Sequence, residues 1–324
     1  MINASAGDLP DVITLGHRQD LGRGASPMIE SFVAAARLPQ TDPHQAAGIG
    51  QAEGGATLAL LRALGDGDWT RPTDCTEWDV RALVAHLVAQ CEDSIRPGTL
   101  LRRELVGRRR YPGRTAVDAH MAVGVDDHRK ASGPELVERF ALLWPRAVRA
   151  RRRRPGFLRR LKINSGIPGQ PRWPVAYLLD VILNRDLWMH RVDLSRATGR
   201  PWVSGGHDQQ IVAQVVRDLA LGWSVAPVAL ELTGPAGGFW RLGSGDPVAV
   251  VRADAVAYLR ALSGRDDDVV LELISGTRPH SSPSARPASP SDRLVHAFAW
   301  FRELRQISAH ASCTKPSRMS ARRW

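Results

Sequence analysis

What most restricts the fold of this chain is the run between Pro174 and Pro201. Its apolar residues recur with the period of a long amphipathic helix, and two potential metal ligands fall inside the apolar stripe. Pro174 suits a first helical turn and Gly199 followed by Pro201 supplies a stop, which predicts one helix of about 25 residues, roughly 37 Å long. At about 100° per residue, Val175, Leu178, Leu179, Ile182, Asp186, Met189, His190, Asp193 and Ala197 share roughly 120° of its circumference. Asp180, Asn184, Arg191 and Ser195 are expected on the opposite side. Asp186 and His190, one turn apart, therefore face the core together, and a carboxylate buried there needs a partner, a hydrogen bond or a metal.

A candidate third ligand lies upstream. Asp79 reads as the cap of a helix, with Trp78 before it and Leu83 inside it as a hydrophobic staple. Val80, Leu83, Val84, Leu87 and Cys91 mark the apolar side of this helix, and His86 falls at the stripe's margin about two turns in, where a facing helix can be reached. Two imidazoles and a carboxylate suit zinc or a neighbouring divalent ion and leave one position open for chemistry. The plainer reading of the Asp186/His190 spacing alone is a salt-bridged helix face with a hydrogen-bonded core histidine.

Other helices are predicted near 43–64, 80–94, 115–131 and 134–150, although Gly50, Gly54 and Gly55 weaken the early turns of the first. After Pro201 the pattern changes. A helix at 207–222 precedes short strands at 228–232, 248–251 and 269–274, with a further helix at 254–262 and a turn at 234–238. That mixture predicts a small α/β domain. The fold class expected is therefore α+β, a helical bundle over residues 41–200 followed by a smaller α/β domain over 201–276. Residues 1–40 lack periodicity and are expected to be a poorly ordered extension. The Ser- and Pro-rich segment 277–324 is expected to be a disordered basic tail with at most a short helix at 294–304.

Composition narrows the compartment and the partners. Three cysteines, Cys75, Cys91 and Cys313, form no Cys-x-x-Cys pair and no even disulfide framework, which points to a reducing cytosol. No apolar stretch reaches the roughly 18 residues of a membrane span, and no signal-peptide pattern opens the chain. The net charge is +11, and the tail alone carries nine Lys or Arg against two Asp or Glu. A second basic run, Arg149, Arg151 to Arg154, Arg159, Arg160 and Lys162, makes salt-sensitive association with polyanions conceivable. No nucleic-acid module accompanies it, so nucleic acid is not the expected partner. His120 and His128 read as exposed, Trp69, Trp78 and Trp188 as core and staple residues, and Cys75 as a loop cysteine without a histidine partner fixed by sequence.

Taken together, the segments resemble the mycothiol-dependent maleylpyruvate isomerase family, whose N-terminal domain is a DinB-like metal-binding helical bundle. The resemblance rests on two long motifs. One runs from Leu61 through Asp68-Trp69, Arg71-Pro72-Thr73, Cys75, Trp78, Val80-Arg81 and Leu83 to Leu87; the other covers Arg185 to Leu194 and Arg196 to Arg200. It extends loosely over residues 50–275. It implies a DinB-like four-helix bundle and a sterol-carrier-like C-terminal domain. It also implies His86, Asp186 and His190 as ligands of a divalent cation, zinc being the expected one, and mycothiol as thiol cofactor. The name-giving isomerase has a glutamate where this chain has Asp186, one methylene shorter, which leaves the exact reaction open. The function implied is isomerisation or thiol transfer on a small, maleylpyruvate-like electrophile, with Arg185 or Arg196 as possible partners of a substrate carboxylate. No catalytic or thiol-binding residue is named by the sequence. The alternative is a non-catalytic metal-binding or interaction module that engages polyanions through its basic segments.

Overall fold

The computed structural model describes residues 32–164, 172–265 and 269–276. Its first long helix, α1 (Pro43–Arg62), starts where the sequence says it should. Asp42 accepts the N–H groups of His44 and Gln45 at 2.7 and 2.9 Å, and Gln45 returns the bond to complete a capping box. α2 (Val80–Ile95) begins at Asp79, whose side chain accepts from Ala82 N–H at 2.7 Å. The loop before it is pinned by Thr73, which donates to the Trp78 carbonyl at 2.8 Å. α3 (Pro97–Arg110) and α4 (Ala116–Asp127) follow, then α5 (Gly133–Arg152), capped by Ser132 and Glu135, and the short α6 (Gly156–Arg160). The glycines of α1 do not break it. Gly54 lies under the Trp144 ring of α5, where an added Cβ would come within 1.8 Å of Nε1, and the same Nε1 donates to the Gly50 carbonyl at 2.7 Å.

α3 was not expected. Its sequence is rich in arginine and leaves Leu100, Leu101 and Leu105 exposed, so the apolar period that marks a core helix is missing. It is anchored by charge instead: Arg103 is buried and meets Glu92, Asp93 and Asp127 at 2.5, 2.8 and 2.9 Å.

The predicted long helix is present but not uniform. A two-residue ladder of β2 (Lys162–Ile163) and β3 (Trp173–Pro174) leads into α7 (Val175–Tyr177), a π-turn at Leu178–Ile182 and α8 (Leu183–Thr198). Gly199 closes it in the left-handed region at φ +68°. The expected outward face is corrected: Asp180, Asn184, Arg191 and Ser195 are all buried. The reason is the position of α8 between two cores. Leu187 and Leu194 join the bundle core with Leu83, Leu87 and Phe140, whereas Trp188, Met189 and Val192 join the core of the C-terminal domain. A helix covered on both sides has no solvent face for its polar residues, so they pair internally. Arg191 takes both oxygens of Glu53 on α1, at 2.6 and 3.0 Å, and Asp208 at 2.6 Å.

The C-terminal domain packs α9 (Gly206–Leu221) and α10 (Ala255–Leu262) on a mixed sheet. Its strands are β4 (Val228–Thr233), β5 (Gly238–Leu242), β6 (Ala249–Asp254) and β7 (Glu272–Gly276). β4 is buried nearly throughout, pairs antiparallel with β5 through the turn at 234–238 and parallel with β6, and β7 adds antiparallel to β6. β5 was unmarked in sequence. A fifth strand, β1 (Val33–Ala34), pairs parallel with Trp240 and Arg241 of β5, giving the order β1-β5-β4-β6-β7.

This strand corrects the expectation of an unordered extension through residue 40. Phe32 and Ala35 are buried, Phe32 meets Phe239 edge-on at 5.5 Å, and the Leu38 carbonyl accepts from Arg217 Nε at 2.8 Å. The expected disorder of 1–31 and of 277–324, with its short helix at 294–304, lies outside the described residues. The architecture is the expected one, a helical bundle with a smaller C-terminal α/β domain. Among the described residues no helix is long and apolar enough to cross a membrane.

Candidate metal centre

α2 and α8 converge at the point where the sequence placed its three candidate ligands. His86, two turns into α2, has its ring beside that of Trp78, with centroids 4.9 Å apart, and faces Asp186 and His190 on α8. His86 is 5% exposed, Asp186 6% and His190 0%. His86 Nε2 lies 3.6 Å from Asp186 Oδ2, and His190 Nε2 lies 3.4 Å from Asp186 Oδ1. These separations exceed hydrogen-bond length, and neither Nε2 has a hydrogen-bond partner.

Two buried imidazole nitrogens left without partners beside one carboxylate are costly unless something else is bound there. The spacing fits a cation. Donors about 2.1 Å from a tetrahedral ion are about 3.4 Å apart, and the three ligand atoms here all lie within 4.8 Å of one another.

The surroundings orient the trio. Gln90, one turn beyond His86, donates Nε2–H to Asp186 Oδ2 at 2.7 Å; an ionised carboxylate only accepts, which fixes the way the amide faces. On the far side of His190, Nδ1 lies 3.1 Å from Asp193 Oδ2. By the same logic Nδ1 carries the proton in the neutral ring, so Nε2 presents its lone pair to the centre. Asp193 is itself gripped from the C-terminal domain, with Arg265 Nε 2.7 Å from Oδ1, Arg265 Nη2 2.5 Å from Oδ2, and Arg260 Nη1 3.4 Å from Oδ1. Cys75 Sγ completes the wall, 3.9 Å from His190 Nδ1 and 3.8 Å from Asp193 Oδ2. Sequence reading assigned Cys75 no histidine neighbour; the fold supplies one.

The electrostatics follow from this packing. Burial pushes the His86 imidazole below its ordinary 6.5 despite Asp186. For His190, burial acts in the same sense but Asp186 and the other partners outweigh it, so its value rises well above 6.5. Burial would raise Asp186, yet His190 and His86 hold it well below the usual carboxylate range. Asp193 falls to about 2, burial being outweighed by Arg265 and His190. The raised His190 and the lowered Asp186 favour a charged imidazolium–carboxylate pair, and a divalent ion entering between them would have to displace that proton.

Two further donor clusters exist among the described residues, and both are occupied by hydrogen bonds. Glu53 and Asp208 accept from Arg191, Asp208 also from Trp188, Ser204 and the Gly205 N–H, and His207 Nε2 pairs with Glu53 at 2.9 Å. Cys75, His190 and Asp193 belong to the layer behind His190 just described.

His120 and His128 are corrected. His128 is buried 3.1 Å from Glu92, and His120 sits 2.9 Å from Asp93, where both buttress the Arg103 cluster. Arg185 is buried with Nη1 3.6 Å from Asp218, and Arg196, largely exposed, has Nε 3.6 Å from Asp74. Sequence reasoning missed Gln90, which its i+4 spacing from His86 could have flagged, and Arg260 and Arg265, which no local signal marks.

Residues 51–195, a span that contains all three side chains of the trio, match the family described as the mycothiol maleylpyruvate isomerase N-terminal domain. Two solved structures are similar. One is a crystal structure of a mycothiol-dependent maleylpyruvate isomerase, 14% identical, with 78% of this chain and 99% of that chain covered and a TM-score of 0.48. The other is a point mutant of such an isomerase, with the same identity and coverage and a TM-score of 0.46. No curated protein matches the chain.

Proposed function

We propose that this chain, whose residues 51–195 match the mycothiol maleylpyruvate isomerase N-terminal domain family, is a divalent-cation enzyme that uses a low-molecular-weight thiol on a small electrophile. His86, Asp186 and His190 would hold the cation, zinc being the best match to two imidazoles and a carboxylate. One observation carries the reading: a pair of buried imidazole Nε2 atoms, each without a hydrogen bond, flanking a single buried carboxylate.

A cation held by His86, Asp186 and His190 would supply the Lewis acidity that lowers the pKa of a bound thiol, and with it a thiolate nucleophile at neutral pH for an activated double bond. The chain's own residues prepare that chemistry. Asp193 holds the proton on His190 Nδ1 and so keeps Nε2 available, and Gln90 holds Asp186 in one orientation. Trp78, against His86, gives the site an apolar side that disfavours bulk water. Arg265 keeps Asp193 ionised, linking the C-terminal domain to the ligand helix.

The reading is tested by following consumption of mycothiol, and of maleylpyruvate among a panel of activated alkenes, with zinc-loaded protein. Turnover that disappears on chelation and returns with zinc supports it. Zinc-loaded protein inert toward every electrophile rejects the enzyme reading in favour of a non-catalytic metal-binding module.

A further inference from the structure

One stretch of the chain carries charge of a single sign. From Arg139 to Leu179 it holds ten arginines and one lysine, and neither Asp nor Glu. The stretch runs through α5, α6 and α7 and turns back on itself at one end of the bundle. Arg159 Nη1 donates to the Arg151 carbonyl at 2.9 Å, which sets α6 against the last turn of α5. Arg154 Nη2 donates to the Ser94 carbonyl at 2.6 Å, which brings the end of α2 and the start of α3 to the same place.

α6 faces the protein through Arg159, which is buried and meets Asp180. At about 100° per residue Phe157 and Leu161 then fall on its opposite side. Both project into solvent, 63% and 54% exposed, and Phe157 is the most exposed aromatic side chain among the described residues. Arg152, Arg153, Arg160 and Lys162 flank the pair in the chain; all four are exposed, and none meets an acid among the described residues. The acids on neighbouring elements are engaged elsewhere: Asp180 with Arg159, Glu92 and Asp93 with Arg103, and Asp42 with the first turn of α1.

An apolar pair among unpaired cations calls for a partner that is both anionic and apolar. A nucleic-acid backbone would take the arginines and leave Phe157 and Leu161 in water. The boundary of an anionic bilayer takes both, its head groups the cations and its acyl edge the apolar side chains. Leu100 and Leu101, 45% and 58% exposed at the start of α3, and Arg96 at its cap continue the same composition on the adjoining element.

We propose that this end of the bundle docks on an anionic lipid surface, with Phe157 and Leu161 entering the head-group layer and Arg152, Arg153, Arg160 and Lys162 meeting lipid phosphates. The contact is peripheral and needs no membrane-crossing helix. It stands apart from the His86, Asp186 and His190 trio, and its test needs no turnover.

The full chain is sedimented with sucrose-loaded phosphatidylcholine vesicles, with and without phosphatidylglycerol, at physiological salt. The wild type partitions onto the phosphatidylglycerol vesicles and stays in solution with phosphatidylcholine alone. Phe157→Ser/Leu161→Ser loses about tenfold or more of that partition, and Arg153→Gln/Arg160→Gln loses about tenfold or more as well. All four positions are exposed, so both variants melt as the wild type does. Val203→Ser, at a residue 71% exposed beyond the far end of α8, keeps the wild-type partition. A wild type with no preference for phosphatidylglycerol overturns the proposal. So does a Phe157→Ser/Leu161→Ser protein that binds as tightly as the wild type, the behaviour of a charge patch for polyanions, or an equal loss in Val203→Ser.

Discussion

Asp193→Asn separates the cation site's architecture from its ligands, because among the three candidate ligands Asp193 touches only His190, from behind. The side chain is fully buried, with Oδ2 3.1 Å from His190 Nδ1 and both oxygens held by Arg265. A neutral amide accepts more weakly and can turn, so His190 loses the anchor that fixes its tautomer and angle. Loss of such a partner typically weakens a metal site about 10- to 100-fold, or about 1.4–2.7 kcal/mol.

The substitution also leaves Arg265 buried without its carboxylate, which costs about 3–5 kcal/mol of stability. At about 2–4 °C per kcal/mol for a chain of this size, the thermal midpoint falls by roughly 6–20 °C. Adding Arg265→Met removes the stranded charge, so the double variant regains much of the midpoint without regaining affinity. Competition of purified protein with a chromophoric zinc chelator measures the first effect and calorimetry the second. Wild-type zinc affinity in a folded Asp193→Asn protein refutes the role given to Asp193.

Two further outcomes follow from buried charge. Arg191→Met leaves Glu53 and Asp208 facing each other without their guanidinium and costs about 3–5 kcal/mol, whereas Arg196→Met, at a largely exposed pair, costs less than about 1 kcal/mol. Equal melting shifts for the two would show that Arg191 does not lock α8 to α1 and α9. The Glu92 carboxyl, which burial would raise, is brought by His128 and Arg103 from 4.5 to about 2. Because its folded value is the lower one, its contribution is complete above pH 4.5 and fades as pH falls toward 2. Glu92→Gln should therefore flatten the loss of melting temperature through that window, and an unchanged slope would count against the pairing.

Much of this molecule was legible because its helix starts are chemically explicit. Asp79 was readable as a cap and caps α2 as expected, Asp42 and Ser132 do the same for α1 and α5, and the apolar period of α2 delivered His86 to the edge facing α8. The convergence of the three candidate side chains was readable for the same reason, one turn of helix being enough to align Asp186 with His190.

What stayed hidden depends on contacts distant in sequence. Arg191 and Asn184 looked solvent-facing because a helical wheel assumes one buried side, while α8 has two. α3 rests on the buried charge of Arg103 rather than on apolar spacing, so periodicity passed over it. β1 is two residues long and exists through its pairing with β5. Arg265 reaches Asp193 across 72 positions, a relation that no local pattern carries.

The central claim is that side chains from two separate helices grip one cation, and zinc stoichiometry tests it most directly. Wild type, His86→Ala and His190→Ala are stripped with chelator, reloaded, dialysed and assayed by elemental analysis, with circular dichroism confirming the fold. One zinc per wild-type chain, and loss of zinc in both variants, is the predicted result. Folded His86→Ala and His190→Ala proteins that both keep the wild-type metal content would contradict it.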